Sequence, residues 1–185
     1  MKMLGIISLI LVVLIVLVAL IIVVYKFFNG KLAAINEKLN DARSEFDELT
    51  NEKYDLITKF IEQIVNKYKL ENKLFDNVKE IPKNELNNIE NDNLINKCYK
   101  ELLQIKEDNQ KTKEIKVFRE IIEKYEDNEL HLISLRTFYN KYAVKYNNVI
   151  KKFPYSLVTL VNKYKTVTLL EGKEIDSEFI NDMEV

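Results

Sequence analysis

One cysteine, one histidine, two prolines, three glycines and no tryptophan occur in 185 residues, and each scarcity removes a class of protein. A single cysteine, Cys98, leaves no intramolecular disulfide, and with only His131 beside it the ligands of a Cys/His zinc site are missing. Neither a Gly-rich phosphate loop nor a nucleophile elbow is present. Proline and glycine are absent between Lys31 and Ile81, so nothing in that stretch forces a helix to break. Positive charge is not in excess either. The chain carries a net charge of -1, and beyond residue 30 it has 26 basic against 29 acidic side chains. Nucleic-acid binding draws most of its affinity from neutralised phosphates, so a nucleic-acid partner is not expected.

What the chain does have is a long apolar run. From Met3 to Tyr25 there are 23 consecutive uncharged residues, with Ser8 as the one small polar side chain. About 20 apolar helical residues cross a hydrocarbon core of about 30 Å, so the expected partner of residues 3–25 is the lipid bilayer. A cleaved signal has a shorter apolar region and a small-residue cleavage site. Here the run ends in Tyr25-Lys26-Phe27-Phe28, a pattern suited to the headgroup zone. Residues 1–30 therefore read as a retained single-pass anchor. Lys26, Lys31, Lys38 and Arg43 follow the run and only Lys2 precedes it. By the positive-inside rule the C-terminal domain faces the cytoplasm, with the N-terminus outside.

Beyond the anchor the apolar period is helical. Ile35, Leu39, Ala42, Phe46 and Leu49 alternate in steps of four and three, and Leu56, Phe60 and Ile64 resume the face after Lys53 interrupts it. One helix is expected over about 31–78, with a bend near Tyr68–Asn72. Asn29 and Gly30 form the one flexible joint to the anchor, so the two helices are expected to be nearly continuous. Ile81-Pro82 and the Asn-rich residues up to 93 read as a loop. A shorter helix is expected over about 93–107, carrying Leu94, Ile95, Cys98, Leu102 and Ile105, with a tight connection at Asp108-Asn109. Phe118, Tyr125, Leu132, Tyr139, Tyr146 and Phe153 then recur every seven residues, partnered by Ile121, Leu135, Tyr142 and Val149 three residues on. Asn128 alone breaks this seam. This helix is expected over about 112–152, ending at Phe153-Pro154 because the residue before proline disfavours helical geometry.

The fold class is all-α: an N-terminal transmembrane helix, then over 31–170 an antiparallel bundle of three long helices. Leu157, Val158, Leu160 and Val161 make a short C-terminal helix, and 171–185 form an acidic, frayed tail.

Four groups of residues carry a family likeness. They are Tyr54-Asp55-Leu56-Ile57 with Phe60, Val65 and Tyr68; Ala42, Ser44 and Asp47; Leu94 with Leu102-Leu103; and Arg136, Phe138, Tyr139-Asn140, Tyr146-Asn147, Ile150 and Phe153-Pro154. Together they resemble the LemA family of bacterial membrane proteins over roughly residues 4–170. Arg43 stands where that family has tryptophan, and Ser156-Leu157 replaces the asparagine usual after Phe-Pro. The resemblance implies an inner-membrane protein with a short outer N-terminus and a cytoplasmic helical bundle. It implies no reaction.

Tyr139-Asn140 and Tyr146-Asn147 share one helix stripe and either pack in the seam or face a partner protein or lipid headgroup. Arg136 is expected to pair with Asp55 or Asp47 if the first and third helices run antiparallel. His131 reads as a surface or seam-edge residue rather than a pH-sensitive group. Cys98 reads as a small hydrophobe. Glu123, Glu126 and Asp127 read as a solvated face, Glu120 and Asp127, seven apart, as part of an exposed ladder, and Glu129 stands near His131. A di-iron site needs a Glu-x-x-His pair on each of two helices, and residue 128, three before the only histidine, is asparagine. No catalytic residue, metal or cofactor is expected. The functional expectation is a membrane-anchored scaffold or adaptor with an unidentified protein partner. A self-associating membrane organiser and, less favoured, a membrane-associated enzyme regulator are the alternatives.

Overall fold

A computed structural model describes residues 2–68, 72–108 and 116–172. The described chain is helical, with no strand among the described residues. α1 spans Lys2–Tyr68, α2 Lys73–Lys79, α3 Ile89–Asp108, α4 Lys116–Val149 and α5 Tyr155–Asn162, with a 3-10 turn at Lys83–Glu85. α1 passes Asn29 and Gly30 without a break, so the expected joint is helix. Glycine in a helix interior costs roughly 1 kcal/mol against alanine, too little to interrupt a helix of this length.

Side-chain caps set the boundaries that periodicity misplaces. The helix expected to reach residue 78 is two helices, because Asn72 starts a new one: its Oδ1 accepts from the Leu74 N–H at 2.9 Å. The expected bend falls partly on 69–71, outside the described residues. α3 starts at Ile89 rather than near 93, because Asn88 Oδ1 accepts the Glu90 N–H at 2.9 Å. The connection expected at Asp108-Asn109 and the tail beyond 172 also lie largely outside the described residues.

The chain divides into two compact units. One comprises Asp41–Asn140 and Leu170–Val185, and its core joins Ile57, Phe60 and Ile64 of α1, Phe75 and Val78 of α2, Ile95, Cys98 and Leu102 of α3, and Phe118, Ile121 and Tyr125 of α4. Residue pairs give the helix directions. Phe60 meets Phe118, Lys53 meets Glu129 and Phe46 meets Arg136, so α4 runs antiparallel to α1. Asp92 and Glu129 meet at Lys53, and one turn further along α3 Asn96 meets Tyr125, so α4 also runs antiparallel to α3. The short α2 is the return segment that lets α1 and α3 share a direction.

The other unit comprises Met1–Asn40 and Lys141–Leu169. Leu32 and Leu39 of α1, Ala143 and Tyr146 of α4, Ile150 just after α4, and Val158 of α5 are its buried apolar residues. It carries ten lysines against a single acid, Glu37, while the rest of the chain carries 18 basic and 28 acidic side chains.

Candidate functional site

The most polar buried point of the larger unit is Lys53. It occupies a core position of α1, in step with Phe46, Leu49, Leu56 and Phe60, and its side chain is 1% exposed. Burying an ammonium costs several kcal/mol unless charge and hydrogen bonds compensate it. Here Nζ donates to Asp92 Oδ1 of α3 at 2.7 Å and to Glu129 Oε2 of α4 at 2.5 Å. It also lies 5.6 Å from the centre of the Tyr125 ring. One cation thus ties three helices together.

A network extends from this centre. Asn96 Nδ2 donates to Asp92 Oδ2 at 3.2 Å and receives the Tyr125 hydroxyl on Oδ1 at 2.9 Å. Tyr99 stacks on Tyr125 at 3.9 Å and donates its hydroxyl to Glu126 Oε1 at 2.9 Å. Asn128 Nδ2 donates to Glu52 Oε2 at 3.3 Å. Burial, with the Glu129 and Asp92 charges adding to it, raises the Tyr125 hydroxyl far above the ordinary phenol range. Burial and the hydrogen bond to Glu126 raise Tyr99 in the same way. Both phenols hold their protons at neutral pH, and the carboxylates of Asp92 and Glu129 are engaged by Lys53. A cleft of about 660 Å³ opens beside the centre, lined by Asn93, Asn96, Lys97, Tyr99, Glu126 and Leu130 among others. No group of three His, Cys, Asp or Glu side chains able to hold a metal occurs among the described residues.

The residues singled out in the sequence lie elsewhere. Tyr54 is buried and donates its hydroxyl to the Lys79 carbonyl at 3.1 Å, closing α2 onto α1. Asp55 is solvent-exposed. Arg136 does not pair with Asp55 or Asp47. Asp47 instead takes Arg43 at 3.3 Å and Asn87. Arg136 lies over the Phe46 ring at 5.2 Å, buried, with the backbone of Gly172 against its guanidinium. Gly172 has φ +124°, a conformation that favours glycine, and a methyl group there would fall 2.6 Å from the Arg136 Cζ. Tyr139 and Tyr146 are buried, and burial raises both hydroxyls.

The two asparagines act as backbone clamps. Asn140 Nδ2 donates to the Leu170 carbonyl and Oδ1 accepts the Leu170 N–H, both at 2.8 Å. Asn147 does the same to Val167, at 2.8 and 2.9 Å. Phe153 is 79% exposed and Pro154 is half-buried at the start of α5. His131 is on the surface, its Nε2 3.2 Å from Glu45 Oε1. Cys98 is fully buried, and burial, with Glu101 adding to it, pushes its thiol up to about 12.

A model of the LemA family matches residues 42–181. The chain belongs to the LemA family. No curated protein and no solved structure matches it. The LemA match takes in Lys53, Asp92 and Glu129, both asparagine clamps and α5. The apolar stretch of α1 precedes it.

In the sequence Lys53 reads as an interruption of the apolar face and Glu129 only as a carboxylate near His131. The signal available was phase: a lysine at a core position of α1, and Asn128 at a seam position of α4. Its partners are 39 and 76 residues away, which no local pattern reveals.

Proposed function

We propose that this LemA-family protein is a single-pass membrane anchor for a helical scaffold that holds a protein partner at the cytoplasmic face of the bacterial inner membrane. The observation that carries the reading is the uncovered apolar stretch of α1. An 18-residue window there has mean hydropathy 3.8 with none of it buried by the rest of the chain. A helix apolar on all sides belongs in lipid. Lys26, Lys31, Lys38 and Arg43 beyond it favour a cytoplasmic C-terminal domain.

Catalysis is not part of this reading. The buried ionic centre is spent on joining α1, α3 and α4, and the tyrosines beside it are held protonated. An anchored scaffold works by raising its partner's effective concentration at the membrane surface. Self-association through the α4 seam is less favoured, because Phe118, Ile121, Tyr125, Leu132, Tyr139 and Tyr146 are buried within the chain itself.

In-cell photo-crosslinking from exposed positions such as Lys59 and Lys124, followed by mass spectrometry of the membrane fraction, tests the reading. It expects one recurring protein partner and retention of the chain in membranes after alkaline carbonate washing. Release by carbonate would remove the anchor, and adducts only to a second copy of this chain would replace the scaffold with a self-associating organiser.

A further inference from the structure

α5 has two distinct faces. The inner one is occupied. Val158 is buried, and the Thr159 hydroxyl donates to the Ile150 carbonyl at 3.1 Å. The Tyr155 ring meets Phe28 edge-on at 4.8 Å. Asn162 Nδ2 donates to the Tyr25 hydroxyl at 2.8 Å and to Asn29 Oδ1 at 3.0 Å, and the Tyr164 hydroxyl donates to Asn29 Oδ1 at 3.2 Å. All these α1 residues lie where its apolar stretch ends. α5 is therefore docked at the level of Tyr25, Lys26, Phe27 and Phe28, the aromatic and basic belt that settles among lipid headgroups.

The other face is bare. Leu157, Leu160 and Val161 fall on one side at i, i+3 and i+4, and they are 57%, 78% and 65% exposed, with Phe153 beside them at 79%. Lys151 and Lys152 precede this patch and Lys163 and Lys165 follow it, all exposed. No acidic residue occurs between Lys141 and Leu170. Protein interface cores are depleted in lysine. An apolar face bordered by lysines is instead the composition of a helix that lies in a membrane surface, and anionic headgroups attract such clusters.

We propose that α5, with Phe153, lies in the headgroup–acyl boundary of an anionic lipid bilayer as a second membrane contact beside the apolar stretch of α1. The proposal rests on the reading of that stretch as a membrane span. Phe153, Leu157, Leu160 and Val161 enter the acyl boundary, while the four lysines keep their ammonium groups among phosphates. The contact fixes the unit formed by 1–40 and 141–169 against the bilayer instead of leaving it to turn on a single helix.

The test uses the full chain reconstituted in vesicles of one part phosphatidylglycerol to three parts phosphatidylcholine. Leu160→Cys and, separately, Val12→Cys carry an NBD fluorophore. Both sites are exposed, so neither label displaces a packed side chain, and the buried Cys98 stays unmodified. Lipid-borne doxyl quenchers are placed either near the headgroup or near the acyl-chain end. At position 160 the headgroup quencher is expected to remove at least half of the emission, more than the chain-end quencher does. At position 12 the chain-end quencher is expected to be strong. Pure phosphatidylcholine vesicles are expected to weaken quenching at 160 and leave 12 unchanged. Emission at 160 unaffected by either quencher, with 12 quenched, would overturn the proposal and leave the anchor standing. No quenching at 12 would overturn the anchor and this inference with it. Equal quenching at 160 in both vesicle types would overturn the anionic-lipid part.

Discussion

Lys53 shows what one charged side chain can do at a core position. Its two carboxylate partners remain about a fifth exposed, 19% for Asp92 and 24% for Glu129, so water screens part of the pairing. Removing the cation leaves two carboxylates facing each other across a buried gap. Lys53→Met is therefore expected to destabilise the protein by about 3 kcal/mol, the lower end for a broken buried pair. Combining it with Asp92→Asn and Glu129→Gln is expected to restore much of that loss. Urea unfolding of the detergent-solubilised chain checks both, and a triple variant no more stable than Lys53→Met alone would show that charge is not the cause. Cys98 and the two stacked tyrosines add a pH dependence of definite sign. The folded state keeps the Cys98 proton up to about pH 12, whereas the unfolded chain releases it near pH 9. Above pH 9 the folded state binds more protons, so stability falls as pH rises, by at most about 1.4 kcal/mol per pH unit for each such group. Tyr99 and Tyr125, also raised by burial, act in the same direction. Cys98→Ala is expected to lose thermal stability more gradually than the wild type above pH 9, and identical slopes would exclude the thiol as a contributor.

The asparagine clamps tie the segment after α5 to α4. Two turns of helix separate Asn140 from Asn147, a rise of about 10.5 Å, and three residues of chain can span up to about 10 Å. That match lets a heptad repeat on α4 grip residues 167 and 170. Each clamp replaces the missing partner of a backbone amide and carbonyl with one side-chain amide. Asn140→Ala and Asn147→Ala are each expected to cost about 1–2 kcal/mol through the two lost hydrogen bonds. The sharper readout is hydrogen exchange: Asn140→Ala should speed exchange at the Leu170 amide, and Asn147→Ala at Val167. Equal acceleration at both amides in either variant would mean the segment is released as one piece, not held residue by residue. The Tyr-Asn repeat was visible in the sequence because its period matches the seam, but its target was not, since nothing in residues 164–170 marks them as a segment to be gripped. The same division holds across the fold. α1 and α4 were legible through apolar periodicity, as was the helical character of α3. The start of α3 and the separation of α2 depend on caps by Asn88 and Asn72, where one side chain outweighs the surrounding pattern. The Lys53 centre was hidden because its partners come from other helices. Its trace in sequence is that both seams admit one polar residue, Lys53 and Asn128, at the same level of the antiparallel pair.

Across the whole molecule the near-neutral net charge conceals a separation. Ten lysines against one acid in residues 1–40 and 141–169 are offset by the 28 acidic and 18 basic side chains of the remaining chain. The sequence hides this because the basic unit is assembled from two segments a hundred residues apart. It bears directly on topology. Folding gathers Lys151, Lys152, Lys163 and Lys165 into the unit that contains the C-terminal end of the apolar stretch, while the basic residues close enough along the chain to resist export, if that stretch spans, are Lys26, Lys31, Lys38 and Arg43. Only Lys2 opposes them from the other end. The C-terminal domain is therefore expected on the cytoplasmic side, and cysteine labelling can read this with little background, because Cys98 is fully buried and its thiol is held protonated. A Leu130→Cys variant places a thiol at a position 66% exposed. In intact cells it is expected to resist a membrane-impermeant maleimide, and to react fully once the cells are opened, while the wild-type chain stays unlabelled in both. Labelling of Leu130→Cys in intact cells would place the domain outside. The lysine asymmetry would then have no part in orienting the chain, and the attraction between α5 and anionic lipid would have to act on the outer leaflet.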